Sequence, residues 1–310
     1  MSSTNGADGR ILPCQRALFE IPDDVAYLNC AYMAPLMASV VAAGEAAVRR
    51  KQTPWTIKPP DFFEGPARGR RLFARLIAAQ EKDIAVIPSV SYGISTAALN
   101  ATVGAGQHIV LLDEQFPSNV YPWREKARVS GASVVTVPRP GAGQPWTPAV
   151  LANISERTAV VSLPHCHWTD GTLLDLEAIG KAARAAGAML VVDATQSLGA
   201  LPFDVRSVRP DYLVVAAYKW LLGPYSLGFM YVSPERAGDR PLEHGWADRA
   251  GAEDFARLVD YQDSFGPGMK RMDVGEFSQF HLMPMAIAAM QQILDWGAVS
   301  YTHLRAHETR

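Results

Sequence analysis

The chain has 310 residues, of which 48% are hydrophobic and 19% charged, and a formal net charge of -2. That length goes beyond one ordinary core, so one large domain plus a smaller part is expected. The near-neutral balance gives no electrostatic reason to expect nucleic acid or an anionic membrane as partner, and no apolar run approaches the roughly 18 residues of a membrane span.

In chain order, MSSTNGADGR is polar and lacks an apolar signal core, so it reads as a short disordered tail of a cytoplasmic protein. The three cysteines, Cys14, Cys30 and Cys166, have neither metal-ligand spacing nor an even count, in keeping with reduced thiols. YLNCAYMAPL (27–36) reads as a short extended segment and turn, and a helix is expected over 39–51. TPWTIKPPDFFEG is rich in proline and aromatics and reads as a loop. A helix with Leu72, Leu76 and Ala79 on one face follows, then the strand IAVIP.

Val90, Ser91, Tyr92 and Gly93 open the next helix, which is expected to run to about Ala101. Small residues at a helix start offer free N–H groups and the favourable dipole end for an anion; taken alone, a serine there is a cap. HIVLL is a strand, followed by a loop with Phe116 and a helix to about Ser130. SVVTV, then a polar loop with Gly141 and Gly143, leads to the strand TAVVSLP and a helix with Leu176, Ile179, Ala183 and Ala186 on one face. Between those last two lies His165-Cys166-His167-Trp168; adjacent residues without a third cluster argue against a metal site.

The organising stretch is 189–231. MLVV ends on Asp193, YLVVAA ends on Tyr218 and Lys219, and the turn LLGPYSLG leads into FMYV, which can close the sheet antiparallel. A carboxylate and an amine at the carboxyl ends of buried strands are costly without a purpose, and that edge is where open α/β sheets bind ligands. Pyridoxal phosphate (PLP) needs such a pair: a lysine for its Schiff base and a carboxylate that keeps the ring nitrogen protonated. The bland alternative, a buried ion pair, brings little net stability. A nucleotide-binding Rossmann protein fits poorly, because no G-x-G-x-x-G follows the first strand. The alternation of strands and helices indicates an α/β fold, a mostly parallel sheet of about seven strands flanked by helices.

VVDATQSLGA, AAYKWLLGPYSLGFMYV, YLNCAYMAPL and RMDVGE together resemble the class V aminotransferase branch of fold-type I PLP enzymes, which includes kynureninases, isopenicillin N epimerases and cysteine desulfurases. The resemblance implies Lys219 as the catalytic, cofactor-anchoring lysine and Asp193 as the partner of the ring nitrogen. It places Gln196 near the ring hydroxyl, Val90, Ser91, Tyr92 and Tyr218 around the phosphate, and Phe116 against the ring face. Asn29 reads first as a turn former and second as a site residue. His167 or Trp168 could touch substrate. Glu276 stands where many members have threonine, which would repel a phosphate and shifts that duty to Arg271 or the Gly275 amide. The implied partner is a small amino acid or amine, with no nucleic acid and no membrane, and the implied assembly is a homodimer.

The resemblance further implies a large PLP-binding domain over 27–275 after a lead-in of 1–26, and the start of a small carboxyl-terminal domain over 276–298 whose remainder is missing. Its last residues, VSYTHLRAHETR (299–310), look like one reading frame of a sequencing-adapter end, so His303 and His307 are set aside. The substrate-carboxylate arginine and any desulfurase cysteine would then lie outside the chain. Transamination, C–C cleavage, epimerisation and sulfur abstraction remain open, the aromatic Phe116 and the Tyr218–Lys219 pair leaning away from a cysteine desulfurase or selenocysteine lyase. A non-catalytic PLP-binding fragment is the other alternative.

Overall fold

The computed structural model describes residues 12–141 and 143–297. The polar amino terminus and the adapter-like segment 299–310, with its two histidines, lie outside the described residues.

Seven strands form one sheet in the order β1-β7-β6-β5-β4-β2-β3. They are β1 (Ile84–Ile87), β2 (His108–Leu112), β3 (Ser133–Val137), β4 (Thr158–Pro164), β5 (Met189–Asp193), β6 (Tyr212–Ala216) and β7 (Gly228–Val232). The pairs β2–β3, β2–β4, β4–β5 and β5–β6 are parallel, whereas β7 runs antiparallel to both β1 and β6. Strands β4 to β7 and β1 are buried along their whole length, which is why they read as continuous apolar runs rather than alternating ones.

The helices are α1 (Ala38–Arg50), α2 (Asp61–Leu76), α3 (Val90–Asn100), α4 (Tyr121–Ser130), α5 (Trp146–Ala152), α6 (Leu176–Ala185), α7 (Val205–Val208) and α8 (Leu282–Trp296). Successive residues of each strand point to opposite faces. On one face Ile87, Leu111 and Val214 share a core with Ile94 and Ala97 of α3 and with Trp123 of α4. On the other, Val86, Val192 and Phe229 pack with residues of α2, α5, α6 and α8, such as Phe73, Trp146, Ile179 and Met290. Helix α8 buries Met283, Ala286, Met290 and Ile293 in this same core.

Two local expectations need correction, and one short helix carried no expectation. DFFEG belongs to α2 and not to the preceding loop: Pro59 and Pro60 end the irregular segment, and Asp61 and Glu64 complement the dipole of the first turn. The segment after Gly143 contains α5, where Trp146 and Val150 are buried; seven residues with one apolar face are too short for periodicity to register. The four-residue α7 after β5 is set by Asp204, whose carboxylate caps the Arg206 N–H.

Candidate active site

Because β1, β2, β4, β5 and β6 run the same way, their carboxyl ends share one edge of the sheet, and the start of β7 joins them there. A cavity of about 310 Å³ opens at that edge. Of the residues expected from the sequence, Val90, Ser91, Phe116, Asp193, Gln196, Tyr218 and Lys219 line it.

Asp193 is the last residue of β5, aligned with Val214 of β6 and Pro164 of β4. Its carboxylate is buried and accepts the Thr195 N–H at 3.0 Å. Burial pushes its pKa up, while the Thr195 hydrogen bonds and the charge of Lys219 pull it down. Lys219 lies three residues beyond β6, in a turn closed by Leu222 N–H to the Lys219 carbonyl and Gly223 N–H to the Ala217 carbonyl, both 2.9 Å. It is buried as well, and burial lowers the pKa of its amine against the opposing pull of Asp193. Desolvation outweighs the mutual attraction in both groups, so the pair is no stabilising ion pair. Burial thus disfavours the charged form of each.

The floor comes from α3. Ser89 caps the helix, its Oγ accepting the Tyr92 N–H at 3.2 Å, and the N–H groups of Val90 and Ser91 sit in the first turn, where the helix supplies no acceptor. Ser91 Oγ meets Ser118 Oγ at 2.9 Å, placing two hydroxyls beside those N–H groups. The helix can lie this close to β6 because Gly93 has no side chain: a Cβ there would sit 2.5 Å from a Val214 methyl. Tyr92 is not part of the cavity wall. Its hydroxyl donates to the Asp273 carbonyl at 3.2 Å, and its N–H is taken by the Ser89 cap.

Phe116 forms one side, with its ring centroid 5.3 Å from Lys219 Nζ and edge-to-face with Trp168 at 5.6 Å. Gln196 lines the cavity while bound at both ends of its amide, Nε2 donating to the Ala31 carbonyl and Oε1 accepting from the Trp220 indole. Tyr218 packs against Tyr225, with ring centroids 4.5 Å apart. In the loop after β4, Cys166 and Trp168 reach the cavity. His165 instead bonds Ser197 Oγ at 2.8 Å, and burial pushes it down to about 4. His167 is buried against the Trp146 ring. Among the described residues no group of three or more His, Cys, Asp or Glu could hold a metal.

Asn29 acts as a turn former, its Oδ1 accepting the Tyr32 N–H. The Gly275 amide donates to the Glu243 carboxylate at 2.7 Å, and Arg271 donates to the Ala237 carbonyl, so both are engaged within the chain. Sequence reasoning missed Thr195, Ser118 and Tyr225. Thr195 had a readable signal, two residues after Asp193, where its N–H holds the carboxylate and its Oγ1 accepts the Ala216 N–H. Ser118 lies in a three-residue 3-10 turn (Pro117–Asn119) and Tyr225 in a loop, both too short for periodicity to mark a direction.

The donor set fits a flat, anionic, amine-reactive group: a desolvated amine, a buried carboxylate, an aromatic face, and a helix start with two free N–H groups flanked by hydroxyls. An uncharacterized aminotransferase of Bacillus subtilis, YcbU, is 30% identical over 77% of this chain and 60% of its own length. The kynureninase of Deinococcus radiodurans is 30% identical over 84% of this chain and 64% of its own. This chain therefore spans a little under two thirds of such relatives. Among solved structures, a C-DES mutant with glycine covalently linked to its PLP cofactor superposes with a TM-score of 0.81 at 20% identity, over 92% of this chain and 75% of that one. The class-V aminotransferase family matches residues 61–247, more than half of the chain, and the chain belongs to that family.

Proposed function

We propose that the chain is the cofactor-binding part of a PLP-dependent enzyme acting on an amino acid or amine. The observation that carries this reading is the convergence of Lys219, Asp193 and the α3 amino terminus on one cavity at the carboxyl edge of the sheet. Bound there, PLP supplies an electron sink for negative charge developing at the substrate carbon.

The residues divide the work by chemistry. Lys219 would anchor the cofactor covalently, and its amine, when free, would take a proton from the substrate carbon and return it; burial lowers its pKa, which favours its use as a base. Asp193 would hold the proton on the ring nitrogen, whose positive charge would favour the carboxylate form against burial. The Val90 and Ser91 amides with the Ser91 and Ser118 hydroxyls receive the phosphate. Phe116 covers one ring face and keeps water from Lys219. Gln196 and Tyr218 complete the cofactor's surroundings from the β5 and β6 loops.

Incubation with PLP, borohydride reduction and peptide mass analysis test the reading: a pyridoxyl group on Lys219 supports it, and a group elsewhere or none refutes it. The reaction type is set by residues that shape the substrate side, and the named relatives span aminotransferase and kynureninase. We read the working form as a cytoplasmic homodimer, as the family resemblance implies; sedimentation velocity of the PLP-loaded protein checks the stoichiometry.

A further inference from the structure

We propose that Arg139 is a positioning residue that fixes Phe116 and Trp168 as one wall of the cavity. What that wall faces rests on the PLP reading; the clamp itself does not. Neither ring belongs to a regular element: Phe116 lies between β2 and α4, Trp168 between β4 and α6, and they are 38% and 45% exposed. Half-exposed rings on separate loops keep one arrangement only if something holds both loops, because ordering them costs conformational entropy.

Arg139, just after β3, reaches both. Its Nε and Nη2 donate to Glu114 Oε2 at 3.0 and 2.5 Å, Nη2 also donates to Thr169 Oγ1 at 2.5 Å, and Nη1 donates to Asp170. Glu114 precedes Phe116 by two residues, and Thr169 and Asp170 follow Trp168 directly. The loops are tied a second time by the Trp168 indole N–H, which donates to the Glu114 carbonyl at 2.7 Å. Glu114 has a φ of +52°, in the left-handed region that a non-glycine residue keeps only when its neighbours hold it. A third link runs deeper. The Thr169 hydroxyl donates to His167 Nδ1 at 3.0 Å, and His167 Nε2–H donates to the Asp113 carbonyl at 3.2 Å. The planar guanidinium meets three acceptors on two loops at once, a pattern that the compact ammonium of lysine cannot reproduce. Exposed ion pairs add little to global stability, so the consequence falls on the position of the wall.

The test compares R139Q and R139K with the parent, each measured with and without W168F so that Trp168 fluorescence is obtained by difference. Acrylamide quenching of Trp168 in the cofactor-free protein is expected to rise in both variants, lysine failing to rescue. The PLP dissociation constant is expected to weaken roughly tenfold, about 1.4 kcal/mol, and a double-mutant cycle of R139Q with F116A is expected to be non-additive. Unchanged Trp168 quenching, rescue by lysine, or an additive cycle overturns the proposal. If R139Q fails to fold, E114Q and D170N each cut one arm of the clamp, and their quenching decides. If the parent binds no PLP, the functional reading falls while the quenching still judges the clamp.

Discussion

The two sides of the cavity are built by different means. On the β5–β6 side, Asp193 and Lys219 stand at or just beyond strand ends whose register is set by the backbone ladder, and Thr195 stitches the two ends together by accepting the Ala216 N–H. On the β2–β4 side, Phe116 and Trp168 stand on loops, half exposed, and are placed by side-chain bonds. The first side inherits its accuracy from the sheet and can tolerate the cost of two desolvated ionisable groups. The second has no ladder to lean on. The buried ionisable pair thus sits where the backbone is most constrained, and the exposed aromatic surface sits on loops.

The largest effect expected is on the sheet-built side. Lys219→Ala removes the only lysine among the described residues that line the cavity and should abolish the visible absorption of covalently held PLP. If the band survives at parental intensity, another lysine is the anchor and the division between the two sides is wrong.

Next comes Gly199→Ala, which tests how tightly the Asp193 and Lys219 turns are pressed together. Gly199 has a φ of +100°, and a Cβ there would lie 2.1 Å from the Trp220 carbonyl oxygen. Strain of both kinds should destabilise the protein by about 3 kcal/mol or more, read as a lower urea midpoint. An unchanged midpoint would mean that the two turns separate easily.

Asp193→Asn should be smaller in stability and opposite in sign. Because burial raises the folded-state pKa of Asp193 above its ordinary 3.8, the folded protein binds more protons than the unfolded one just above that pH. Parental stability without cofactor therefore falls as pH rises from 3.8 through the raised value. Asparagine keeps the Thr195 hydrogen bond without the charge, so the variant should gain on the parent across that window in urea titrations. With PLP present, α-proton exchange of an amino acid into deuterium oxide should slow by on the order of 10²-fold, the scale of losing one preorganised electrostatic partner. A variant that only lost stability at every pH would show that Asp193 is a structural acceptor.

The contrast also explains what could be read from the sequence. β5 and β6 announce themselves as apolar runs that stop abruptly on Asp193 and before Lys219, because strands buried on both faces carry no polar residue until they emerge. β1, β4 and β7 are legible for the same reason, whereas the helices with long apolar faces are legible by their 3.6-residue period. Arg139, Ser118 and Tyr225 are not, since a loop residue's direction depends on partners far away in the chain: Arg139 meets Asp170 across 31 positions. Tyr92 shows the limit of reading by position alone. It stands in the expected helix start, yet its amide is taken by a cap and its ring turns towards Asp273.

That last point can be tested with the smallest change. Ser89→Ala removes the cap from the Tyr92 N–H and should cost about 1 kcal/mol of stability without ligand. The freed N–H then joins those of Val90 and Ser91 at the positive end of α3. Inorganic phosphate should therefore stabilise the variant more than the parent, since an anion bound only to the folded state raises its stability with the logarithm of its affinity. Urea midpoints with and without phosphate give the answer. A deficit that shrinks in phosphate puts the Tyr92 amide within reach of the anion, as its place in the helix start implies; a deficit that persists leaves Val90, Ser91 and the two hydroxyls to hold the phosphate alone.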